Sequence, residues 1–412
     1  MISINALLER FAPGERIFLP GSSTEPRPLV EAVSKAASEL PRLEITHSFL
    51  PGINTVPLSG TDNSIQEIAL FPRTKGTTSN SIRVLPLSYF GARHYLAAQA
   101  FDWLVVQVAP PDIDGQCSLG PSVEFIPGVA SKAKHIVGVI NHSMPVISGA
   151  SSLPLSMFSN TIEVDWPLVN YSAGDVDDTT TRIAQWLATL IDDGSTLQVG
   201  LGRVPTCLLE RLSDIKDIRM HSGLLGDGFM SMANAGLLSE TQKHLSCTAL
   251  GSAGFYQWLA QRDDVVITDV ARSHHPGVLA ELDQFVAINS ALQVDLYGQA
   301  NLETVADRTV SAVGGAADFC RGARYSKGGK SIIALPSTAA NGAVSRVVAC
   351  FRSGQPVSIG RHDIDYVVTE FGVANLSNKA PLEKARALVD IADPGFREQL
   401  LSHIQQNAKN FQ

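Results

Sequence analysis

The chain has 412 residues, of which 44% are hydrophobic and 17% charged, a composition typical of a globular protein with more than one domain. Its formal net charge of −8 argues against a nucleic-acid partner, because a nucleic-acid-binding protein normally carries a basic surface. A local basic site for a phosphate is still compatible with this charge.

The first half of the chain alternates predicted strands and helices. Residues 16–19 are predicted to form a strand that is followed by a turn and an apolar-faced helix. A further strand is expected at 43–50, and the stretch 51–75, rich in Gly, Pro, Ser and Thr, is predicted to be a loop. Residues 103–109 and 135–141 are continuous apolar runs, as expected of strands buried on both faces. This alternation predicts a mostly parallel sheet covered by helices.

The composition becomes polar near residues 171–178, and we place a boundary there between a domain at 1–175 and a domain at 176–412. The second domain opens as the first does, with a strand, a glycine turn and a helix, which indicates a weak internal repeat. The chain is therefore predicted to hold two α/β domains in tandem. Later strands are expected at 265–268, 285–288, 331–335 and 366–369, and an amphipathic helix at 382–407.

Two glycine-containing loops are candidates for ligand contact. Residues 314–319 (GGAADF) follow the polar run 289–301 (NSALQVDLYGQAN), between strand-like segments. Gly200 and Gly202 lie in a strand-to-helix loop, where a helix N-terminus suits an anion. Glycine lets a ligand approach the backbone N–H groups, and loops at strand ends are where open α/β sheets bind ligands. The plain alternative for both loops is a tight turn.

The five cysteines are scattered without a CxxC spacing, so neither a disulfide framework nor a metal site is predicted. The beginning of the chain lacks the basic segment and continuous apolar core of a signal peptide. No stretch approaches the length of a membrane-spanning helix. We therefore expect a cytoplasmic protein without a membrane partner.

Seven motifs occur in a fixed order: PPDIDGQCSLGPSV (110–123), NHSMPVISG (141–149), GLGRVP (200–205), NSALQVDLYGQAN (289–301), VGGAADFCRGA (313–323), ALPSTAANGAVSRVV (334–348) and YVVTEFGVANL (366–376). Together they resemble the acetyl-CoA hydrolase/transferase branch of the class I CoA-transferases, which includes 4-hydroxybutyrate and acetate CoA-transferases. The resemblance implies two tandem CoA-transferase-type domains, each a mostly parallel sheet flanked by helices. It implies an acyl-CoA substrate, a small carboxylic acid, coenzyme A as substrate or product, and no metal. A homo-oligomer, most simply a homodimer, is expected.

The family's nucleophile falls on a glycine in this chain. In the family a glutamate attacks the acyl-CoA thioester, within a segment like HTEMxSDG, and carries CoA as a glutamyl thioester. Here the segment is HSGLLGDG (221–228), and its flanking residues His221 and Asp227 place the glutamate position at Gly223. Glycine has no side chain for covalent catalysis. The resemblance also implies that Gly314 and Gly315 offer their N–H groups to the thioester oxyanion.

By the same resemblance, other residues are expected to bind CoA or the acyl group: Gly200, Gly202, His221, Asn289, Gln293, Gly298, Gln299, Ser337, Asn341 and Gly342. Arg324, Lys327 and Lys330 form either a solvated face or a contact for the CoA phosphates.

Few residues are candidates to replace the missing carboxylate. Ser222 would point to the opposite strand face from His221, and Asp227 is expected in a turn. Glu240 is a candidate for a displaced acid. Cys117 is expected to be a small buried residue, and His274 with His275 to form a loop before a helix.

Several activities are therefore open. The chain is either a CoA-transferase with a displaced nucleophile, or an enzyme in which water or a small cosubstrate fills the space left by the glutamate and attacks the thioester directly. A water molecule needs roughly 30 Å³ of liquid volume. The alternative from another class is a catalytically silent CoA-binding or regulatory homologue.

Overall fold

The computed structural model describes residues 1–58, 64–72 and 82–411. The strands of these residues, in chain order, are β1 (Arg16–Leu19), β2 (Leu43–His47), β3 (Ile65–Ala69), β4 (Ile82–Val84), β5 (Trp103–Val108), β6 (Gln116–Ser118), β7 (His135–Asn141), β8 (Ser152–Pro154), β9 (Asn160–Val164), β10 (Thr196–Val199), β11 (Arg219–Met220), β12 (Leu224–Leu225), β13 (His244–Ser246), β14 (Thr248–Ala249), β15 (Val265–Ile267), β16 (Phe285–Ser290), β17 (Gln293–Asp295), β18 (Ala300–Asn301), β19 (Thr304–Val305), β20 (Arg308–Thr309), β21 (Lys330–Ala334), β22 (Thr338–Ala339), β23 (Val344–Ser345), β24 (Val347–Val348), β25 (Tyr366–Thr369) and β26 (Gly372–Asn375).

The α-helices are α1 (Ile4–Leu8), α2 (Arg27–Lys35), α3 (Tyr89–Ala98), α4 (Ile126–Ala130), α5 (Asp178–Ala188), α6 (Arg203–Arg211), α7 (Asp227–Asn234), α8 (Ala253–Leu259), α9 (Val270–Ser273), α10 (Pro276–Ala280), α11 (Ala316–Tyr325), α12 (Pro381–Asp390) and α13 (Pro394–Gln406).

The chain divides into two compact units. Unit 1 consists of Met1–Ser172 and His244–Ser273, and unit 2 of Ala173–Lys243 and His274–Gln412. The boundary predicted between residues 175 and 176 lies close to the point where the chain first leaves unit 1. This boundary does not predict that His244–Ser273 belongs to unit 1, because contacts between residues far apart in sequence join that segment to the unit.

Unit 1 is built on a parallel sheet with the strand order β4-β3-β2-β1-β5-β7-β9. The strands predicted at 16–19, 103–109 and 135–141 are confirmed as β1, β5 and β7. The prediction of a loop over 51–75 is wrong at β3, which pairs in parallel with β2 and buries Ile65 and Ile68. Pairing with an existing sheet edge outweighs the polar local composition. Residues 59–63 and 73–75 of that predicted loop lie outside the described residues.

Unit 2 is built on a six-stranded sheet with the order β11-β10-β16-β21-β25-β26. Its strands are parallel except for β26, which runs antiparallel to β25. The strands predicted at 285–288, 331–335 and 366–369 are confirmed as β16, β21 and β25. The strand predicted at 265–268 is β15, which pairs with β13 in unit 1.

The predicted helix over 382–407 is two helices, α12 and α13, and the break lies at residues 391–393. Pro394 cannot continue a helix from the preceding turn, because it lacks an N–H group and its ring clashes with that turn. It is instead the first residue of α13, and the Asp393 side chain accepts the N–H of Gly395 at 2.9 Å. No helix in the described ranges is long and apolar enough to cross a membrane.

Candidate functional site

The carboxyl edge of the unit 2 sheet collects several of the predicted site residues. Gly200 follows β10, His221 follows β11, and Asn289 lies near the end of β16. Because neighbouring parallel strands end at the same edge, the loops that follow them form one face of the unit.

Gly314 and Gly315 form the start of α11. Gly314 has φ +55°, a conformation that favours glycine, and Gly315 is the N-cap of the helix with φ −83° and no side-chain cap. Within the described part of the chain, neither amide hydrogen meets a backbone acceptor. These two N–H groups therefore lie at the positive end of the α11 dipole.

The ring of His274 lies between Gly223 and Gly315. A Cβ atom built on Gly223 would be 3.1 Å from both Cε1 and Nε2 of His274, and one built on Gly315 would be 2.4 Å from Nε2. The ring also packs on Phe319, with a centroid distance of 4.4 Å. A Cβ at position 315 would therefore clash with this imidazole, and one at position 223 would require the ring to shift by a few tenths of an ångström. The imidazole of His274 therefore limits the space directly beside Gly223, and the expectation that water or a small cosubstrate occupies the place of the missing side chain stays a prediction.

His274 is 1% exposed and electrically neutral near pH 7. Burial, and secondarily the nearby His221, lower its pKa from 6.5 to about 3. A neutral imidazole has one donor and one acceptor nitrogen, so it can take part in hydrogen bonding without adding a buried charge. His221 is also buried, and its ring packs edge-on against Phe285 at a centroid distance of 6.2 Å.

The residues considered as replacements for the carboxylate lie in different surroundings. The Ser222 hydroxyl donates to the carbonyl oxygen of Val199 at 3.0 Å, which joins the ends of β10 and β11. Asp227 is the first residue of α7, and Glu240 is exposed. Cys117 lies fully buried in β6, and burial raises the pKa of its thiol. None of these observations shows a carboxylate in the place of the missing side chain at position 223.

Asn289 forms an amide pair within the sheet. Its Nδ2 donates to Oε1 of Gln198 at 3.0 Å, and Nε2 of Gln198 donates in return to Oδ1 of Asn289 at 3.4 Å. The pair connects β16 with β10. Asn289, expected to bind substrate, therefore uses its polar atoms to hold two central strands together.

Gly298 and Gln299 belong to a tight turn between β17 and β18. The carboxylate of Asp295 accepts the N–H groups of Tyr297 at 3.1 Å and Gln299 at 2.9 Å, and also Nε2 of Gln299 at 2.8 Å. Gly298 has φ +81°, which the turn requires. Gln293 on β17 accepts a hydrogen bond from Nε2 of Gln355 at 2.7 Å.

Ser337 is bound to Glu370, a residue that the sequence does not predict. The N–H and hydroxyl of Ser337 both donate to the Glu370 carboxylate, at 2.9 Å and 2.7 Å. Asn341 and Gly342, with φ +55° and +88°, form the exposed turn between β22 and β23. The two carboxylate bonds therefore connect the loop after β21 to the loop after β25.

The loop of Gly200 and Gly202 is open. Among the described residues, no heavy atom other than those of the glycine and its chain neighbours lies within 4 Å of a Cβ built on either glycine, and Gly202, with φ +127°, is the N-cap of α6. Among the described residues, no group of three His, Cys, Asp or Glu side chains is arranged to hold a metal ion.

Comparisons with known proteins agree with this architecture. Residues 75–170 match the acetyl-CoA hydrolase/transferase N-terminal domain, and residues 251–404 match the C-terminal domain. The chain is 32% identical to a 4-hydroxybutyrate coenzyme A transferase of Clostridium kluyveri, over 98% of this chain and 97% of that protein.

Two solved structures are similar along nearly the whole chain. A 4-hydroxybutyrate CoA-transferase from Porphyromonas gingivalis has a TM-score of 0.84 and 30% identity, over 98% of this chain and 97% of that one. RipA from Yersinia pestis has a TM-score of 0.89 and 26% identity, over 98% and 96%. The chain therefore belongs to the acetyl-CoA hydrolase/transferase family.

Proposed function

We propose that this protein binds a small acyl-CoA thioester and releases coenzyme A by hydrolysis or direct acyl transfer, without a covalent glutamyl-thioester intermediate. Its family and its similarity to 4-hydroxybutyrate CoA-transferases support the substrate class. The absence of the family's glutamyl-thioester step is inferred from the residues around position 223.

The observation that carries the proposal is the packing of His274 against position 223. A nucleophilic carboxylate there would need a side chain whose first atom already lies 3.1 Å from the imidazole. The ring also lies close to Gly315, where a built Cβ would be 2.4 Å from Nε2, and Phe319 packs beside it. The route through a glutamyl thioester is thus closed by both the missing side chain and the volume of His274.

The remaining groups suit a direct attack on the thioester. The N–H groups of Gly314 and Gly315 receive the negative charge that develops on the carbonyl oxygen. The oxygen of water, or of a small cosubstrate, bonds to the carbonyl carbon, and the C–S bond breaks. With water the products are a carboxylate, coenzyme A and one proton. Sites that lose a nucleophile keep roughly 10³–10⁴-fold of rate enhancement, so a slow enzyme is expected.

Turnover assays test the proposed reaction. The full-length protein is incubated with acetyl-CoA, butyryl-CoA and 4-hydroxybutyryl-CoA, with and without free acetate, and the products are identified by mass spectrometry. We expect free coenzyme A at a rate that does not depend on acetate. Acetate-dependent formation of a new thioester would instead support a displaced nucleophile. Binding of coenzyme A without turnover of any thioester would support the silent homologue.

Substitutions at both positions test the role of His274. Gly223→Glu alone should gain no CoA transfer, because the new side chain meets the imidazole. Gly223→Glu combined with His274→Ala should recover transfer and an enzyme-bound thioester that hydroxylamine cleaves. The matched control is Gly223→Gln with His274→Ala, which has the same volume without a carboxylate. Transfer activity in Gly223→Glu alone would show that His274 does not close the position.

A further inference from the structure

Unit 2 contains a cleft at the amino edge of its sheet, where the parallel strands begin. This edge is opposite the carboxyl edge that carries the candidate site. Arg361 and His362 precede β25, and Lys379 follows β26, which runs antiparallel to β25, so both segments lie at the amino edge. These three residues and Lys384 line the cleft, which has a volume of about 200 Å³.

The lining of the cleft is basic, although the chain as a whole has a net charge of −8. Arg361, Lys379 and Lys384 contribute the positive charges, and no acidic side chain is among the described lining residues. Lys379 and Lys384 are half-buried, and Arg361 is exposed. Within the described part of the chain, none of the three forms an ion pair.

The carboxylates nearest to these cations in the sequence have other partners. Asp363 pairs with Arg321 at 3.0 Å, and Asp365 pairs with Arg324. Glu383, in the first turn of α12, accepts the backbone N–H of the N-cap residue at 2.8 Å. The positive charge of the cleft is therefore not cancelled by an ion pair among the described residues.

The N-terminus of α12 borders the cleft and adds backbone donors to it. Pro381 and Lys384, both in the first turns of this helix, belong to the lining. Pro381 has no N–H group, and the N–H groups of Leu382 and Glu383 meet no backbone acceptor among the described residues. Unpaired N–H groups and the helix dipole both favour an anion at this end of a helix.

The turn that carries Arg361 is fixed by hydrogen bonds. Arg361 and His362 are its central residues, and the N–H of Asp363 closes it by donating to the carbonyl oxygen of Gly360 at 2.9 Å. The carbonyl oxygen of His362 also accepts a hydrogen bond from Nε of Arg324 at 3.1 Å. A backbone that is already ordered loses little conformational freedom when a ligand binds, which favours affinity.

Aromatic rings limit the size of the ligand. Tyr297 and Phe411 line the cleft with their rings stacked, at a centroid distance of 5.0 Å and an interplanar angle of 14°. Phe411 is only 2% exposed, so this wall is part of the core. A cleft of about 200 Å³ is smaller than the roughly 300–1,000 Å³ that ordinary organic ligands occupy, and it suits a small ion.

We propose that this basic cleft binds a small inorganic anion, phosphate or pyrophosphate, at Arg361, Lys379 and Lys384. A phosphate group carries roughly 1.5 to 2 negative charges at pH 7 and several acceptor oxygens, so it gains more from three convergent cations than a singly charged carboxylate does. The site lies at the edge of the sheet opposite Gly223 and Gly315, and it is independent of the proposed reaction.

Calorimetric titration of the full-length protein at constant ionic strength tests the proposal. The probes are phosphate and pyrophosphate, with and without saturating coenzyme A, and ADP represents a phosphate carried by a larger molecule. We expect saturable binding of pyrophosphate that coenzyme A does not displace. Arg361→Gln and Lys384→Gln should each weaken this binding about tenfold or more, and Arg361→Lys should bind more tightly than Arg361→Gln.

The matched control is Arg386→Gln, an exposed position on the same helix as Lys384 but outside the lining of the cleft. It should bind pyrophosphate within about twofold of wild type. Thermal unfolding without ligand should be the same in Lys384→Gln and Arg386→Gln, so a loss of binding reports on the cleft and not on folding.

The proposal would be overturned if the wild-type protein bound neither inorganic ion, or if both cleft variants bound as the wild type does. Equal weakening in Arg386→Gln would show attraction by the general surface charge and would overturn it too. ADP binding more tightly than both ions would overturn the assignment to a free inorganic anion. Displacement by coenzyme A would contradict a separate site, whereas thioester turnover is measured independently and reports only on the proposed function.

Discussion

The side chain of His274 restricts which residues can occupy positions 223 and 315. The imidazole of His274 lies against both glycines, since a Cβ built on Gly223 would be 3.1 Å from Nε2 and one built on Gly315 would be 2.4 Å from it. Restoring a carboxylate by one substitution therefore creates a clash as well as a nucleophile. Substitutions at positions 223 and 274 are therefore expected to have non-additive effects, because the two residues share one volume.

A second buried titratable residue, Glu124 in unit 1, predicts a pH dependence of stability. It is 1% exposed, and it accepts hydrogen bonds from the hydroxyls of Ser48 at 3.1 Å and Tyr89 at 3.2 Å. Burial raises its pKa from an ordinary 4.5 to about 7, although the two hydrogen bonds act in the opposite direction. Between these values the folded state binds more protons than the unfolded state, so the free energy of unfolding falls as the pH rises.

We expect Glu124→Gln to remove this dependence. The variant should gain up to ~3 kcal/mol relative to wild type at about pH 8, and little at about pH 4, where the wild-type carboxyl is protonated in both states. Urea unfolding at the two pH values measures the difference. Glu240→Gln, at an exposed position, is the control and should show no such change. An unchanged pH profile in Glu124→Gln would contradict the raised pKa.

The candidate site was only partly predictable from residues alone. The resemblance to the family predicts that Gly223 lies at the nucleophile position, and the glycines before α11 are found from composition. His274 was expected only in a loop before a helix, since its relation to Gly223 exists through space and not along the chain. The polar residues Asn289, Gln299 and Ser337 were expected to face a ligand. Their hydrogen bonds with Gln198, Asp295 and Glu370 depend on strand order, which the sequence does not specify.

Among the secondary-structure elements, α10 and α11 hold His274 in place. A Cβ atom built on Gly322 of α11 would lie 2.4 Å from Cβ of Leu279 on α10, so the helices are in direct contact there. Leu279 is fully buried and belongs to a small core with Phe285 and Phe319. The close approach at Gly322 thus supports the position of His274, two residues before α10 begins.

Gly322→Ala should separate these helices and destabilise the protein by ~1–3 kcal/mol, although alanine is the better helix former. Thermal unfolding measures the effect. The control is Gly254→Ala in α8, where the nearest atom to the new methyl group is 3.8 Å away and a gain of up to ~1 kcal/mol is expected. Equal effects of the two substitutions would show that close packing at Gly322 is not important.

Strands with a strong local sequence pattern were predictable, whereas a strand that depends on pairing with another part of the chain was not. The apolar runs of β5 and β7 were predictable as strands, because short continuous apolar runs rich in β-branched residues favour a buried strand. β3 lies in a polar stretch and becomes a strand by pairing with β2. Pro394 marks the break between α12 and α13, but the amphipathic pattern continues across it and predicts a single helix.

At the scale of the whole molecule, the segment His244–Ser273 belongs to unit 1, although unit 2 residues precede and follow it in the sequence. Residues 1–175 therefore do not contain all of unit 1. Tyr256 donates its hydroxyl to the carbonyl of Val169 at 2.7 Å, and the Ser22 and Thr248 hydroxyls are hydrogen-bonded at 2.9 Å. Val123 donates its N–H to the Cys247 carbonyl at 3.0 Å. A protein cut between residues 175 and 176 lacks these contacts in both pieces.

We therefore expect a fragment of residues 1–175 to show no cooperative unfolding in urea. A variant that joins residues 1–172 to 244–273 through a Gly/Ser linker restores the missing segment and should unfold cooperatively. Circular dichroism during urea titration measures both. A cooperative transition in the shorter fragment would show that unit 1 does not depend on the returning segment.

The proposed reaction requires that no covalent intermediate forms at position 223. Intact-protein mass spectrometry of the wild-type protein, quenched in acid during turnover of acetyl-CoA, measures this directly. We predict coenzyme A in solution and an unchanged protein mass, while Gly223→Glu with His274→Ala gains the mass of coenzyme A less one water. A wild-type protein that carries coenzyme A in a hydroxylamine-sensitive bond would contradict the account.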